Sequence, residues 1–332
     1  NFILFGKKYN ISNKKEEFEF FSDYYSHILI TYRYNFKELL PCSNITSDSG
    51  WGCMIRSGQM MLAEVLLRSE LGRNWRLYKI IKSKNKSYSI AHSKILIKFI
   101  DSPRIGHDFS IHRIIQLGLK YNKKPMDWYG PDTISLIIQD LVNLNKYLNL
   151  KTYIARDSII IKDEIYKLCN DTKKEWFKKL FLIIPIRIGI NKINSIYNDT
   201  LIKLLDLNQS VGIIGGKPNK SLYFIGHNGY NLFYLDPHYQ QHTVTVDNCF
   251  PKLKDLLSYH CLYPQKINID SIDPSLSMGF LINNKVEFDL FCDSIDKIKN
   301  DGNLFFEIIE NKFQNNDYKM NDNNSDDTWD LI

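Results

Sequence analysis

A cysteine at the start of an apolar helix is the residue in this sequence best suited to nucleophilic chemistry. Cys53 follows a turn that contains Gly50 and Gly52, and the apolar residues after it recur at helical spacing as far as Gly72. The unpaired N–H groups and the dipole at a helix N-terminus stabilise a thiolate. The two glycines would also allow a substrate to approach the backbone closely. The alternative is a buried cysteine packed beneath the helix, because free cysteine is among the most buried residue types.

A histidine and an aspartate with the spacing of a base and its orienting acid lie far downstream. The pattern of residues 221–235 predicts two strands joined by a tight turn, and Asp236 and His238 follow directly. Positions two apart in an extended chain project to the same face. With Cys53, they would supply a nucleophile, a base and a group that fixes the imidazole tautomer. Taken alone, Asp-Pro-His is a weak signal, because Asp-Pro is a common turn starter.

Several motifs along the chain together resemble one known family. They occur in the order Thr31-Tyr32-Arg33, Ser47-Asp48-Ser49-Gly50-Trp51-Gly52-Cys53-Met54, Trp128-Tyr129-Gly130-Pro131, Gly215-Gly216-Lys217-Pro218-Asn219, Tyr234-Leu235-Asp236-Pro237-His238 and Asp273-Pro274-Ser275. The chain resembles the autophagins, papain-like cysteine peptidases that process a small ubiquitin-like modifier of autophagy and release it from phosphatidylethanolamine. The resemblance covers roughly residues 5–310 in the family's order, which makes a chance match untenable.

The resemblance implies an α+β, papain-like cysteine peptidase fold with a small appended lobe. The sequence pattern agrees, because helical periodicity dominates the N-terminal half and strand-like runs dominate afterwards. We expect helices at 16–36, from Cys53, after His112 and at 132–148. We expect strands at 151–155, 181–184, 211–214, 221–236 and 278–282. Residues 1–313 would form the peptidase domain with its inserted lobe, and residues 314–332 a flexible polar tail.

The resemblance also assigns roles to residues outside the triad. Tyr32, with the backbone N–H of the nucleophile, would stabilise the oxyanion of the tetrahedral intermediate. Trp128 would wall the narrow groove for the C-terminal glycine of the substrate. Gly215, Gly216 and Pro218 would belong to a flexible loop that covers the resting site, with the two glycines as its hinge. The alternatives are core packing for the two aromatic residues and an ordinary turn for the glycines.

The C-terminal residues carry a short motif of their own. Trp329 and Ile332 are three positions apart and follow the acidic pair Asp326 and Asp327. This arrangement resembles the modifier-interacting motif of autophagy proteins, in which a segment adds a strand to the modifier's sheet and two apolar side chains fill pockets. The alternative is a frayed terminus, because motifs this short often arise by chance.

Composition and charge argue against several other classes of protein. The net charge of +6 over 332 residues is modest and the basic residues are scattered, so we expect no nucleic-acid partner. The six cysteines lack metal-binding spacing, so we expect no metal and no other cofactor. The longest apolar run, residues 180–190, is broken by Pro185 and Arg187, and no hydrophobic leader opens the chain. We therefore expect a reduced, cytoplasmic protein.

These observations favour a monomeric cysteine endopeptidase that acts on an autophagy ubiquitin-like modifier. It would cut both the precursor and the lipid-conjugated form, with transient contact to the autophagosomal membrane surface. Two alternatives stay open: a peptidase for a different ubiquitin-like modifier, and a catalytically inactive homologue that serves as a modifier-binding scaffold. The intact Cys53, Asp236 and His238 favour an enzyme over a scaffold.

Overall fold

The computed structural model describes residues 1–82, 86–170, 175–245, 253–261 and 263–311. The helices in these residues are α1 (Lys14–Tyr24), α2 (Cys53–Leu71), α3 (Leu77–Lys82), α4 (Lys86–Ile97), α5 (Ile111–Gly118), α6 (Pro131–Leu144), α7 (Lys162–Cys169), α8 (Asn198–Leu205), α9 (Leu253–Leu257) and α10 (Lys285–Asp301). The strands are β1 (Phe2–Leu4), β2 (Lys7–Tyr9), β3 (Tyr32–Tyr34), β4 (Leu150–Ile154), β5 (Ile159–Ile161), β6 (Lys179–Arg187), β7 (Ser210–Lys217), β8 (Lys220–Asn228), β9 (Asn231–Leu235), β10 (Gln240–His242), β11 (Gln265–Asn268), β12 (Ser275–Ile282) and β13 (Glu307–Ile309).

One large sheet forms the centre of the described residues. Its nine strands include the path β11-β9-β8-β7-β12-β6-β4, and β1 joins it by pairing with β8 and β2. The β4–β6 pair is parallel, whereas the other pairs of this sheet are antiparallel. Two small parallel pairs, β3–β10 and β5–β13, lie outside it. The central strands are apolar along nearly their whole length, as strands covered on both faces are.

Helices cover both faces of the large sheet, and an apolar cluster fills each side. α2 and α6 contribute Met61 and Ile134 to one cluster. α8 and α10 contribute Leu204 and Phe291 to the other. Each such side chain, when fully buried, adds about 1.5–3 kcal/mol to stability. Because α2 packs directly on β7 and β8, the helix that begins with Cys53 is fixed against the hairpin strand that leads towards the histidine. The expected α+β fold is confirmed.

The helix expected at residues 16–36 is wrong beyond Tyr24. α1 ends there, and the chain then forms β3, which pairs in parallel with β10 so that Tyr32 lies opposite Gln240. β-branched and aromatic residues in this part of the sequence favour extended chain, and the partner strand lies far away in the sequence. This pairing carries Tyr32 to the segment that follows the predicted base.

The remaining expected elements are confirmed. α2 begins at Cys53, α5 begins next to His112, α6 covers most of residues 132–148, and a strand occupies each expected strand region. β6 continues through Pro185, which lies beyond the end of its pairing with β4 and therefore faces a neighbour on one side only. Among the described residues, no helix is long and apolar enough to cross a membrane. The division at residue 313 stays a prediction, since residues 314–332 lie outside the described part of the chain.

Candidate active site

Cys53 is the first residue of α2, as the sequence predicts. In the turn before it, Gly50 has φ of +85°, a left-handed conformation that favours glycine. The backbone N–H groups of Trp51 and Gly52 donate to the carbonyl oxygen of Asp48 at 3.2 and 2.9 Å. Cys53 itself is only 2% exposed. Its sulfur thus lies at a helix N-terminus and largely out of water, where the helix dipole favours a thiolate.

Asp236 and His238 meet where β9 ends. The Asp236 Oδ1 accepts a hydrogen bond from the His238 backbone N–H at 2.9 Å and another from Nδ1 at 2.5 Å. Because an ionised carboxylate can only accept, the imidazole carries a proton on Nδ1. The other ring nitrogen, Nε2, is buried and has no hydrogen bond of standard geometry to any described residue. Such bonds are often long in free enzymes and tighten when substrate binds.

The thiol and the imidazole alter each other's acidity. Burial raises the pKa of Cys53, but the interaction of its sulfur with the nearby His238 imidazole opposes this effect. The Ser221 backbone N–H and the Tyr32 hydroxyl add to the opposition, and the net pKa of Cys53 lies below that of an ordinary thiol. Burial lowers the pKa of His238, whereas Asp236 and the Cys53 thiolate together raise it to about 9. These opposite shifts favour a thiolate–imidazolium pair at neutral pH.

Tyr32 contacts both members of this pair. Its ring packs edge-on against the His238 imidazole, with centroids 5.5 Å apart and an interplanar angle of 88°. Its hydroxyl donates to the Cys53 sulfur, and burial together with this thiolate raises the pKa of Tyr32, so the hydroxyl keeps its proton. The Tyr32 backbone N–H also donates to the Pro237 carbonyl at 2.9 Å. A neutral donor therefore lies next to the sulfur, in the region where an oxyanion would form.

A cavity of about 220 Å³ lies beside the start of α2. Met54, the residue after Cys53, forms one part of its wall, and Trp128 forms another. Trp128 is 47% exposed, so it is not a core residue. Gly215 and Gly216 also line the cavity, and as glycines they contribute only backbone. An indole and bare main chain therefore both form part of the cavity wall.

Gly215 and Gly216 do not lie in a loop, although the resemblance places them in a flexible loop that covers the resting site. Both residues lie within β7 and are paired with β8, and only Pro218 and Asn219 form the turn between the strands. The hydrogen-bond ladder continues past the glycines, so they are not a free hinge. A Cβ on Gly215 would overlap the Leu276 side chain, which makes close packing a second reason for a glycine there. Pro218 is exposed, and the movement of this turn over the site stays a prediction.

The sequence matches one family of proteases over most of its length. Residues 17–294 match the Peptidase C54 catalytic domain. The cysteine protease ATG4B of Xenopus laevis is 33% identical over 330 residues, which covers 92% of this chain and 83% of that protein. The cysteine protease ATG4A of Bos taurus is 33% identical over 336 residues, which covers 92% and 81%. This chain belongs to the peptidase C54 family. The resemblance to the autophagin cysteine proteases is thereby confirmed.

Some residues around the site of this C54 peptidase were not predicted as site residues. Arg187, Asp273 and Ser275 line the same cavity as Trp128. The one local signal for Arg187 is that it interrupts an otherwise apolar run of residues. In the structure, Arg187 is the last residue of β6 and is exposed, so its charge is not buried.

The other cysteines of this C54 peptidase lie in different environments. Burial raises the pKa of Cys169 and that of Cys292 to about 12, so both stay protonated thiols at neutral pH. Cys42 is exposed, and Cys249 lies outside the described residues. Within the described part of the chain, no group of three or more His, Cys, Asp or Glu side chains could hold a metal ion.

At neutral pH, iodoacetamide should alkylate Cys53 while leaving Cys169 and Cys292 largely unmodified. The thiolate is the reactive form, and only the first of these thiols has its pKa lowered. Peptide mapping by mass spectrometry across pH 5 to 10 measures the three rates side by side. The alkylation midpoint, meaning the pH at which the rate is half its maximum, should lie lower for Cys53 than for an ordinary thiol. It should rise in His238→Ala. A midpoint unaffected by that substitution would contradict the ion pair.

Proposed function

We propose that this C54 peptidase is a cysteine endopeptidase that cuts after the C-terminal glycine of an autophagy ubiquitin-like modifier. It would process the modifier precursor and also release the modifier from phosphatidylethanolamine. The observation that carries the proposal is the meeting of the Cys53 thiol, the His238 imidazole and the Tyr32 hydroxyl, with a glycine-lined cavity at Met54, the next residue along the chain. The family membership and the names of the relatives, ATG4A and ATG4B cysteine proteases, support the same conclusion.

In the proposed mechanism, the Cys53 thiolate attacks the carbonyl carbon of the substrate glycine. A carbon–sulfur bond forms, and the carbonyl oxygen becomes an oxyanion that accepts hydrogen bonds from the Tyr32 hydroxyl and the Cys53 backbone N–H. When the intermediate collapses, the carbon–nitrogen bond breaks. The His238 imidazolium gives its Nε2 proton to the leaving nitrogen, so that the products are a free amine and a glycyl thioester.

The second half of the reaction regenerates the enzyme. His238, now neutral, takes a proton from water, and the resulting hydroxide attacks the thioester carbonyl. The carbon–sulfur bond breaks, and the products are the modifier's glycine carboxylic acid, which loses its proton to solvent, and the thiolate paired with an imidazolium. Asp236 keeps the Nδ1 proton in place through both halves, because its Oδ1 accepts from that nitrogen at 2.5 Å. The leaving amine belongs to a peptide in processing and to phosphatidylethanolamine in recycling.

The shape of the cavity supports a requirement for glycine. Trp128 and the backbone of Gly215 and Gly216 line this cavity, so a side chain on a substrate residue placed between them would compete with the indole for space. Glycine at the cleavage position avoids this conflict. We therefore propose that Trp128 forms the wall of the groove and that the β7–β8 hairpin is part of the substrate site.

The burial of Cys53 supports a gated site. Because only 2% of this residue is exposed, a substrate carbonyl reaches the sulfur only after a neighbouring group moves. The Ser221 backbone N–H, which contacts the sulfur, lies one residue beyond Lys220, where the turn at Pro218 ends. We propose that substrate binding displaces this turn, with the required free energy coming from the large contact between enzyme and modifier.

The setting of the reaction follows from the same proposal. We propose a cytoplasmic, monomeric enzyme that meets the lipid-conjugated modifier transiently at the autophagosomal membrane, with no nucleic-acid partner. Trp329 and Ile332 would bind the modifier as a short motif. Both residues lie outside the described part of the chain, so this motif rests on the sequence alone. An inactive scaffold is disfavoured, because the ion pair that activates a thiol would serve no purpose in one.

A cleavage assay on a C-terminally tagged modifier precursor tests the proposed function. The purified chain should release the tag in one step, and the mass of the remaining product should end at glycine. Modifier coupled to phosphatidylethanolamine in vesicles should be released to solution by the same enzyme. Precursors of other ubiquitin-like proteins serve as controls and should stay uncut. Equal cleavage of one of those controls would mean that the autophagy modifier is not the specific substrate. Failure to cut the autophagy modifier precursor as well as every control would reject the proposal.

A further inference from the structure

A fully buried group of ions lies behind the nucleophile turn. The Arg56 guanidinium donates from Nε and Nη2 to the two carboxylate oxygens of Asp48, at 2.7 and 3.0 Å. The same guanidinium donates to both oxygens of Asp101, at 2.9 and 3.1 Å. All three residues are at most 5% exposed. Ions buried this deeply are tolerated only when they are paired and fully hydrogen-bonded, so their geometry is tightly specified.

Asp48 joins two elements that carry reacting groups. Its Oδ1 accepts from the backbone N–H of Arg33, the residue after Tyr32, at 2.7 Å. Its own N–H donates to the Arg33 carbonyl at 3.3 Å, which makes a second bond to β3. Its carbonyl oxygen accepts from the Gly52 N–H, the residue before Cys53, at 2.9 Å. One residue therefore holds both the strand of the tyrosine and the turn of the cysteine.

Gly52 leaves the space that the Asp48 carboxylate occupies. A Cβ on Gly52 would overlap the Asp48 side chain, with its Cβ 2.7 Å away and an Oδ2 even closer. The sequence favours a different reason for this glycine, namely close approach of a substrate. The structure gives an internal reason, because the turn before Cys53 is folded around the carboxylate.

We propose that Asp48 is a positioning residue for the reaction, which sets the separation between the Tyr32 hydroxyl and the Cys53 sulfur by holding the backbone of each. This inference rests on the proposed function, in which both groups act at one substrate carbonyl. Arg56 fixes the carboxylate from the far side. The arrangement is a rigid clamp, and misplacement of reacting groups by about 1 Å can cost about 10²-fold in rate.

Asparagine at position 48 would break this clamp without changing its size. The carboxylate accepts three hydrogen bonds on two oxygens, whereas an amide offers one oxygen and places a donor opposite the Arg56 donors. The variant therefore loses either the hydrogen bond from the Arg33 N–H or part of the contact with Arg56. Loss of the hydrogen bond from Tyr32 would raise the pKa of Cys53. Removal of a nearby negative charge would by itself lower that pKa, so the direction of the shift separates positioning from a simple charge effect.

The test is the pH dependence of Cys53 alkylation by iodoacetamide in Asp48→Asn, beside steady-state cleavage of the tagged precursor. The alkylation midpoint should be higher than in the original enzyme, as we also expect for Tyr32→Phe. We expect kcat to fall about 10- to 100-fold with KM nearly unchanged. Asp101→Asn is the matched control, because Asp101 is equally buried and bonds the same guanidinium. It should destabilise the enzyme without raising the alkylation midpoint.

A double substitution shows whether Asp48 acts through the tyrosine. In the Tyr32→Phe background, Asp48→Asn should add no further rise in the midpoint. An unchanged or lower midpoint in folded Asp48→Asn, or an additive rise in the double variant, would overturn the inference. If Asp48→Asn is not recovered folded, Arg56→Lys carries the test, because lysine keeps the charge but loses the two-pronged contact. It should raise the midpoint too, and no rise would count against the clamp.

The alkylation readout uses no substrate, so it separates this inference from the proposed function. If the wild-type enzyme cuts no modifier precursor, yet the variants show the expected alkylation midpoints, the proposed substrate is rejected and the positioning role of Asp48 stands. If the enzyme cuts the precursor after glycine, but Asp48→Asn does not change the alkylation midpoint, the proposed function stands and the positioning role of Asp48 is rejected.

Discussion

Replacing Cys53 with serine, or His238 with alanine, is expected to lower precursor cleavage to the background rate, a loss of about 10⁴- to 10⁶-fold. In the proposed mechanism, nucleophile and base act as a unit, since Cys53 and His238 each shift the pKa of the other towards the ion pair. A serine hydroxyl would have no comparable tendency to ionise beside this imidazole. The loss of either partner therefore removes the thiolate attack rather than weakening it.

Asp236→Asn is expected to leave a trace of activity above that background. The residue bonds the His238 backbone and Nδ1 but touches neither the sulfur nor the substrate in the proposed mechanism. An asparagine can still hold the ring in place, although it no longer stabilises the imidazolium charge. The three variants are compared by single-turnover cleavage of the tagged precursor, with circular dichroism as the check on folding.

The other cysteines provide the controls for this experiment. Serine at Cys42, which is exposed, and alanine at the buried Cys169 and Cys292 should each leave the cleavage rate within about twofold of the original, because none lies among the reacting groups. A Cys53→Ser enzyme that still cuts after glycine at the original rate would reject the mechanism. An essential role in chemistry for any of the control cysteines would reject the assignment of the nucleophile.

Much of the site was predictable because its signals are local. The glycine turn and the apolar spacing after Cys53 predict where α2 begins, and strand-like residues around a tight turn predict the hairpin that leads to Asp236. Each of these patterns depends on residues within one or two turns of chain. The proposed triad follows from chemistry, because the sequence pattern predicts a helix N-terminus at Cys53 and places Asp236 two residues before His238.

What the sequence could not predict depends on contacts between distant segments. β3 is a strand because it pairs with β10, and a local pattern predicted helix in that place. The glycines of the expected loop are held in a ladder with β8, which loop-like composition does not reveal. Arg56 carries a charge in the buried first turn of α2, and its partner Asp101 lies far along the chain. Such residues are found only when the fold brings their partners together.

Tyr32→Phe is expected to lower kcat by about 10²- to 10³-fold with little change in KM, the usual result of removing one oxyanion donor. The phenylalanine ring would keep the edge-on packing against His238, so the substitution removes only the hydroxyl. Tyr34→Phe is the matched control. Tyr34 lies on the same strand, but its ring packs against His242 at 5.2 Å and is partly exposed, so its loss should leave kcat unchanged.

The hydroxyl of Tyr32 could contribute in two ways, and their pH dependence tells them apart. It lowers the pKa of Cys53, which matters only where the thiol is not yet ionised. It would also stabilise the oxyanion, which matters at every pH. We therefore expect the deficit in kcat to persist at a pH where alkylation rates indicate full thiolate in both enzymes. A deficit that disappears there would limit the tyrosine to activating the thiol, and a deficit that is absent at every pH would exclude it from the reaction.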